Sequence, residues 1–391
     1  MRYNFDKVID RSGTSAEKVE GLKHIWGRTD LIPLWVADMD FATAPFVTDA
    51  IRKRCENEVL GYTGKPDSYY NAIINWVKQR YDLVVAKEMI NFVPGIVPGI
   101  GMAMNCFTQK GDKVMIQPPV YHPFAWVTTR NERTLVTNPL KWENGMYRMD
   151  LDTFREQIKG CKLFILCNPH NPGGVVWTEA ELRAIADISY DEKVLVFSDE
   201  IHADLTLPPH THRPFATVSE KARMNSVTFM SPSKAFNMPG LSASHALIFN
   251  EDLRKRFRIY MDAGELDMGH VFAFLSVEAA YSHGTEWLDQ CLAYIQANIE
   301  FVDDFLKYHA PKIKAIRPGA SYLVWLDCRE LKLSQKDLNE FFVDKAHLAL
   351  NDGEMFGKEG IGFMRLNVAS PRCIIEKAMK QLADAYQLYI K

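Results

Sequence analysis

The feature that most constrains this chain is a series of short segments, apolar almost from end to end, spread across its middle. KVMIQPP (113–119), KLFILCNP (162–169), VLVFSDE (194–200), SVTFMSPSK (226–234) and HALIFN (245–250) are too short for helices and do not alternate with polar residues. A strand with one wet face alternates; continuous apolar runs fit strands covered on both faces, as in a mostly parallel sheet flanked by helices. Between them, TEAELRAIADISYD (178–191) sets Leu182, Ile185, Ala186 and Ile188 at helical spacing behind a threonine able to cap the helix. Strand and helix alternate, which predicts an α/β fold with a mostly parallel central sheet.

At 391 residues the chain exceeds the roughly 250–300 residues at which single cores stop growing, so two domains are expected. The pattern shifts after about residue 285: EWLDQCLAYIQANIEFVDDFLKYH is helical, SYLVWLDC (321–328) reads as a strand, and a helix closes the chain. The expected division is a large domain over 46–285 and a small α+β domain from 1–45 with 286–391.

A net charge of −3 with no basic block gives no reason to expect a nucleic-acid partner. The start, MRYNFDKVIDRSGTS, has no apolar leader core and no run is long enough to cross a bilayer, so a cytoplasmic protein without a membrane partner is expected. Seven cysteines, an odd number with no C-x-x-C, read as reduced, buried thiols.

Polar residues stand at the ends of the apolar runs: Tyr121, Asn171, Asp199 and Lys234. Ligands of open α/β sheets bind outside the carboxyl ends of the strands, so these side chains can share one crevice. One acid after a strand is ordinarily a loop residue or a helix cap. Here an amine suits an imine, a carboxylate a ring nitrogen, an amide a phenolic oxygen and an aromatic face a stacked ring, which together are the needs of pyridoxal phosphate.

SPSKAFNMPGL (231–241), NPHNPGG (168–174), SDEIHADL (198–205), PPVYHPF (118–124), WVADMDF (35–41) and RLNVASPR (365–372) together resemble the aminotransferase class I/II superfamily, and within it the MalY/PatB branch of cystathionine β-lyases and cysteine C–S lyases. The resemblance covers nearly the whole chain. It implies the fold-type-I architecture and pyridoxal 5′-phosphate as cofactor. Lys234 would form the Schiff base and shuttle the Cα proton, Asp199 would pair with the ring nitrogen, Asn171 would donate to the phenolic oxygen, and Tyr121 would stack on the ring beside the substrate. His202 would support Asp199 by a hydrogen bond. The phosphate would be held by the backbone amides of Ile96 and Val97, by Ser231 and Ser233, and by Tyr62 of the partner subunit, which implies an obligate homodimer with a shared active site. Many relatives add an arginine shortly after the lysine; AFNMPGLSASHA has none, leaving neutral donors. Arg365 would grip the carboxylate of a small amino-acid substrate, and Asp38 and Tyr322 would shape the site.

The branch-specific motifs WVADMDF, PPVYHPF and DEIHADL imply β-elimination from L-cystathionine or related cysteine S-conjugates, giving a thiol, pyruvate and ammonia. An aminotransferase is the alternative. A regulatory protein keeping the fold without the activity is less favoured, because Lys234, Asp199 and Arg365 are all present. Other chemistries lack a starting point. GIGMAM misses the third glycine of a dinucleotide loop, prolines interrupt the His202, His210, His212 series so that no metal is expected, and neither G-x-S-x-G nor H-E-x-x-H occurs.

Overall fold

The structure, a computed structural model, describes residues 2–390. The five apolar runs become strands of one sheet together with two strands the sequence did not mark, β1 and β3: β1 (Ile90–Val93), β2 (Lys113–Ile116), β3 (Thr134–Thr137), β4 (Cys161–Cys167), β5 (Leu195–Asp199), β6 (Ser226–Met230) and β7 (Ser244–Leu247). Their order is β1-β7-β6-β5-β4-β2-β3. The run from β6 to β3 is parallel throughout, whereas β7 is antiparallel to both β6 and β1. Alternate side chains enter different cores: Leu163, Ile165 and Cys167 pack with Val114 and Ile116, while Phe164 and Leu166 pack with Met115 and Val196. Burial on both faces is what the unbroken apolar runs require.

Parallel strands need crossovers: α2 (Glu179–Asp191) joins the neighbours β4 and β5, and α1 (Ile96–Phe107) carries the chain from β1 to β2 farther along the sheet. In α2 the residues at helical spacing, Leu182, Ile185, Ala186 and Ile188, are all buried. Thr178 caps it by accepting the Glu181 N–H, and Glu181 reaches back to the Thr178 N–H, a reciprocal capping box.

Beyond α3 (Thr285–His309) the chain forms a small antiparallel sheet from β8 (Lys314–Ile316), β9 (Leu323–Asp327), β10 (Asn351–Asp352) and β11 (Phe363–Asn367), in the order β8-β9-β11-β10. The strand read at 321–328 is β9. The amino-terminal stretch joins this region through a parallel pairing of Ile32–Pro33 with Leu348–Ala349.

All seven cysteines are free, but the expectation of burial holds only for Cys161, Cys167, Cys291 and Cys328. Cys55 and Cys373 are exposed and Cys106 is half-buried. Cys55 ends a helix and Cys373 opens one. Among the described residues no helix is long and apolar enough to cross a membrane.

Candidate active site

Strand order brings the candidate residues together. β6, β5, β4 and β2 are parallel neighbours, so their carboxyl ends share one edge of the sheet. Lys234 follows β6, Asp199 ends β5, Asn171 follows β4 and Tyr121 follows β2. Two successive antiparallel pairings return β1 to the same direction, so it delivers Gly95 and the start of α1 to that edge as well. Tyr121, Asn171, Asp199, His202, Ser233 and Lys234 line one cavity with Ile96 and Val97. Its volume, counting the open mouth, is about 800 Å³, within the roughly 300–1,000 Å³ of small-molecule sites.

Lys234 Nζ donates to the Ala37 carbonyl at 2.5 Å. Burial lowers its pKa to about 8, against the upward pull of Asp38, with Arg365 pushing down and Asp199 up. Roughly a tenth of such amines are neutral at pH 7, far more than for an ordinary lysine. Asp199 is buried and accepts the Ile201 N–H at 3.1 Å. Burial raises its pKa to about 7; the Ile201 hydrogen bond and Lys234 oppose this, and Glu200 adds to it. A cationic N–H facing this carboxyl would restore its charge.

Arg365, on β11 of the small sheet, is buried. Nη1 donates to Asn171 Oδ1 at 3.1 Å, and Nη2 to the Trp35 carbonyl at 3.1 Å and to Asn351 Oδ1. The first bond turns the Asn171 carbonyl toward the guanidinium and leaves its NH2 for the cavity. Among the described residues no carboxylate lies within ion-pair distance of Arg365, and its Nε is buried without a partner. Burial lowers its pKa to about 10, with Tyr121 and Tyr322 opposing. A buried guanidinium held only by neutral groups is placed to receive an anion.

The amino end of α1 supplies donors. Gly99 is the first helix residue to bond back, its N–H donating to the Gly95 carbonyl at 2.9 Å. The amides of Ile96 and Val97 precede the helical ladder, and Pro98 has no N–H. Gly95 holds φ +156°, and a Cβ there would stand 3.3 Å from Pro98 Cδ. Glycine suits this backbone, and a helix start of this kind is the type of place that favours an anion.

Two expectations meet a different geometry. Ser231 does not line the cavity: its hydroxyl donates to the Ala243 carbonyl at 2.7 Å and accepts the Ser233 N–H, so it shapes the turn that carries Lys234. His202 lines the cavity but forms no hydrogen bond with Asp199. The Ile201 N–H takes an Asp199 oxygen, and His202 Nδ1 is buried without a partner. Burial, with Lys234 and Arg365, lowers His202 to about 3, so the ring is neutral. Tyr62 does not reach the cavity of its own chain; it is 97% exposed, beside Leu60, Lys65 and Asp267.

Three contributions at the site, from the Ala37 carbonyl, Asn351 and Asn367, were not singled out from the sequence. The Ala37 carbonyl accepts from both Lys234 and, at 2.9 Å, Tyr322 Oη. Asn367 Nδ2 brackets that peptide by donating to the Val36 and Asp38 carbonyls, and Asn351 supports Arg365. Asp38 faces away toward Arg11 and Lys18.

Comparison with known proteins gives a consistent picture. A sequence model of the family described as aminotransferase class I and II matches residues 29–382. Cystathionine beta-lyase PatB of Bacillus subtilis (strain 168) is 38% identical over 384 residues, covering 98% of this chain and 99% of its own. Cystalysin from Treponema denticola, whose crystal structure contains a pyridoxal 5′-phosphate cofactor, is similar with a TM-score of 0.96 at 33% identity, covering 100% of both chains. The PLP-bound C–S lyase from Staphylococcus hominis has a TM-score of 0.91 at 35% identity, covering 99% of this chain and 98% of its own.

Proposed function

Because the chain belongs to the aminotransferase class I and II family, in the branch that holds PatB-type cystathionine β-lyases and C–S lyases, we propose that it cleaves the carbon–sulfur bond of L-cystathionine or related cysteine S-conjugates with pyridoxal 5′-phosphate. The observation that carries this reading is the convergence of Lys234, Asp199, Asn171 and Tyr121 on one cavity edged by free helix amides. The donor set fits the cofactor: an amine for its aldehyde, a buried carboxyl lacking a cation for its ring nitrogen, an amide NH2 for its phenolic oxygen, and the Ile96 and Val97 N–H groups with Ser233 for its phosphate. When bound, pyridoxal phosphate supplies an electron sink for the charge left as Cα loses its proton.

The chain's own residues do the rest. Arg365, buried without a carboxylate partner among the described residues and held by Asn171, Trp35 and Asn351, would grip the substrate carboxylate and so fix Cα relative to Lys234. Lys234 Nζ, near neutrality in its pKa, accepts the Cα proton. The electron pair released at Cα forms the Cα–Cβ double bond as the Cβ–S bond breaks, and sulfur leaves with that bond's pair. The Lys234 ammonium returns its proton to the leaving sulfur. The three-carbon fragment then takes up water and yields pyruvate and ammonia. Asp199 would hold a proton on the cofactor's ring nitrogen, and Tyr121 would cover the ring face.

A homodimer is part of this proposal. Tyr62 is 97% exposed in a segment without helix or strand, beside Val59 and Leu60, which are 72% and 59% exposed. Apolar side chains so presented suit a subunit contact, and there Tyr62 of the partner subunit would complete the phosphate site.

The test is incubation with L-cystathionine while thiol, pyruvate and new keto acids are followed together. Equal amounts of thiol and pyruvate are expected. Efficient transfer of the amino group to another keto acid, without thiol release, would replace the lyase reading by an aminotransferase.

A further inference from the structure

Behind the proposed ring-nitrogen partner lies a second buried carboxylate that the proposed chemistry does not use. The Asp199–Glu200 backbone is pinned between neighbouring strands, with Asn168 N–H donating to the Asp199 carbonyl and Glu200 N–H to the Phe229 carbonyl, each at 2.9 Å. Consecutive side chains then point to opposite faces, Asp199 into the cavity and Glu200 away from it. Glu200 is 1% exposed. Its Oε1 accepts the Ser198 hydroxyl and the Phe215 N–H, each at 2.8 Å, and its Oε2 meets His212 Nε2 at 2.8 Å. The His212 side chain is 1% exposed, with Nδ1 buried and unpartnered.

Glu200 is a buried carboxylate on which three hydrogen-bonding groups gather, so both its oxygens are satisfied away from water. It stands next in sequence to a carboxyl whose charge the cofactor requires. We propose that Glu200, held by His212, is a positioning residue that sets the charge of Asp199 toward the cofactor ring. The inference rests on the reading of Asp199 as the ring-nitrogen partner.

The groups around this pair are few. Asp199 faces Lys234 and Tyr121 across the cavity and Cys167 on β4, besides Glu200. His212 faces Glu200, the ring of Tyr81 at 5.5 Å and the charge of Asp204, which accepts from Trp76 Nε1 and Tyr81 Oη. Of these, Glu200 alone is a second carboxylate acting on Asp199, and it raises that group's pKa.

The test titrates the cofactor-free protein with pyridoxal 5′-phosphate from acid to neutral pH and reads the dissociation constant by absorbance. Affinity should weaken on the acid side, and Asp199→Asn should remove that midpoint. Glu200→Gln, close in shape, should move the midpoint down by roughly half a unit or more. His212→Gln should move it up in the wild-type background and add nothing in the Glu200→Gln background. Ser198→Ala, which takes one donor from Glu200 and leaves its charge, should also move it up and covers the case of a poorly folded Glu200 variant. An unmoved midpoint in Glu200→Gln, or equal His212→Gln shifts in both backgrounds, overturns the proposal. A wild-type protein that binds no cofactor, or an acid midpoint that survives Asp199→Asn, defeats the underlying site reading instead.

Discussion

Lys234 and Asp199 are pushed by burial toward neutrality from opposite sides, to about 8 and about 7. The stability consequences have opposite signs. The raised Asp199 contributes stability that is present below its ordinary range near 3.8 and lost as pH rises through about 7. The depressed Lys234 contributes stability that is present above 10.5 and lost as pH falls through about 8. Near pH 7 both charges therefore weigh against the cofactor-free fold, and a ligand that reacts with the amine and offers the carboxyl a cation relieves both. Only the neutral amine attacks a carbonyl, so capture of pyridoxal 5′-phosphate by the cofactor-free protein should accelerate as pH rises through about 8. Stopped-flow absorbance measures this; a rate independent of pH across that range would mean that the amine is already neutral or is not Lys234.

Among the elements, legibility followed burial. β4 to β7 were readable because both of their faces are covered and their sequences are apolar throughout. β3 was not, since it is an edge strand whose terminal residues Thr134 and Thr137 are exposed. β1 is as buried as β6, but INFV is short and runs straight into Pro94–Gly95, so turn chemistry masks it. The same logic divides the candidate site. Lys234, Asp199, Asn171 and Tyr121 stand where apolar runs end. Asn351 lies on a two-residue strand and the Ala37 contribution is a backbone carbonyl, neither of which marks a sequence. His202 lines the cavity, yet the local turn gives its expected place on Asp199 to the Ile201 N–H. For α2 the capping box is directly testable. Thr178→Ala should cost about 1 kcal/mol in denaturant-induced unfolding, the usual loss for a removed cap; no change would mean that the helix end is held by packing alone.

For the whole molecule, the cavity lies where two sheets meet. Arg365 on the small antiparallel sheet bonds Asn171 at the edge of the large one, and the segment bearing Ala37 crosses between them, tied by Asn367 and Tyr322. The exposed Tyr62 segment adds the proposed contribution of a second subunit. Mixing Lys234→Ala subunits with Tyr62→Ala subunits should then restore activity above either parent, because a mixed dimer contains one site with both residues intact. Full activity of Tyr62→Ala alone, or no recovery on mixing, would remove that residue from the shared site. The central claim, that the strand ends form a carbonyl-cofactor site anchored by Lys234, is tested most directly by loading the protein with pyridoxal 5′-phosphate, reducing it with borohydride and mapping the label by peptide mass. The account predicts one reduced adduct on Lys234; a label on another lysine, or none, would contradict it.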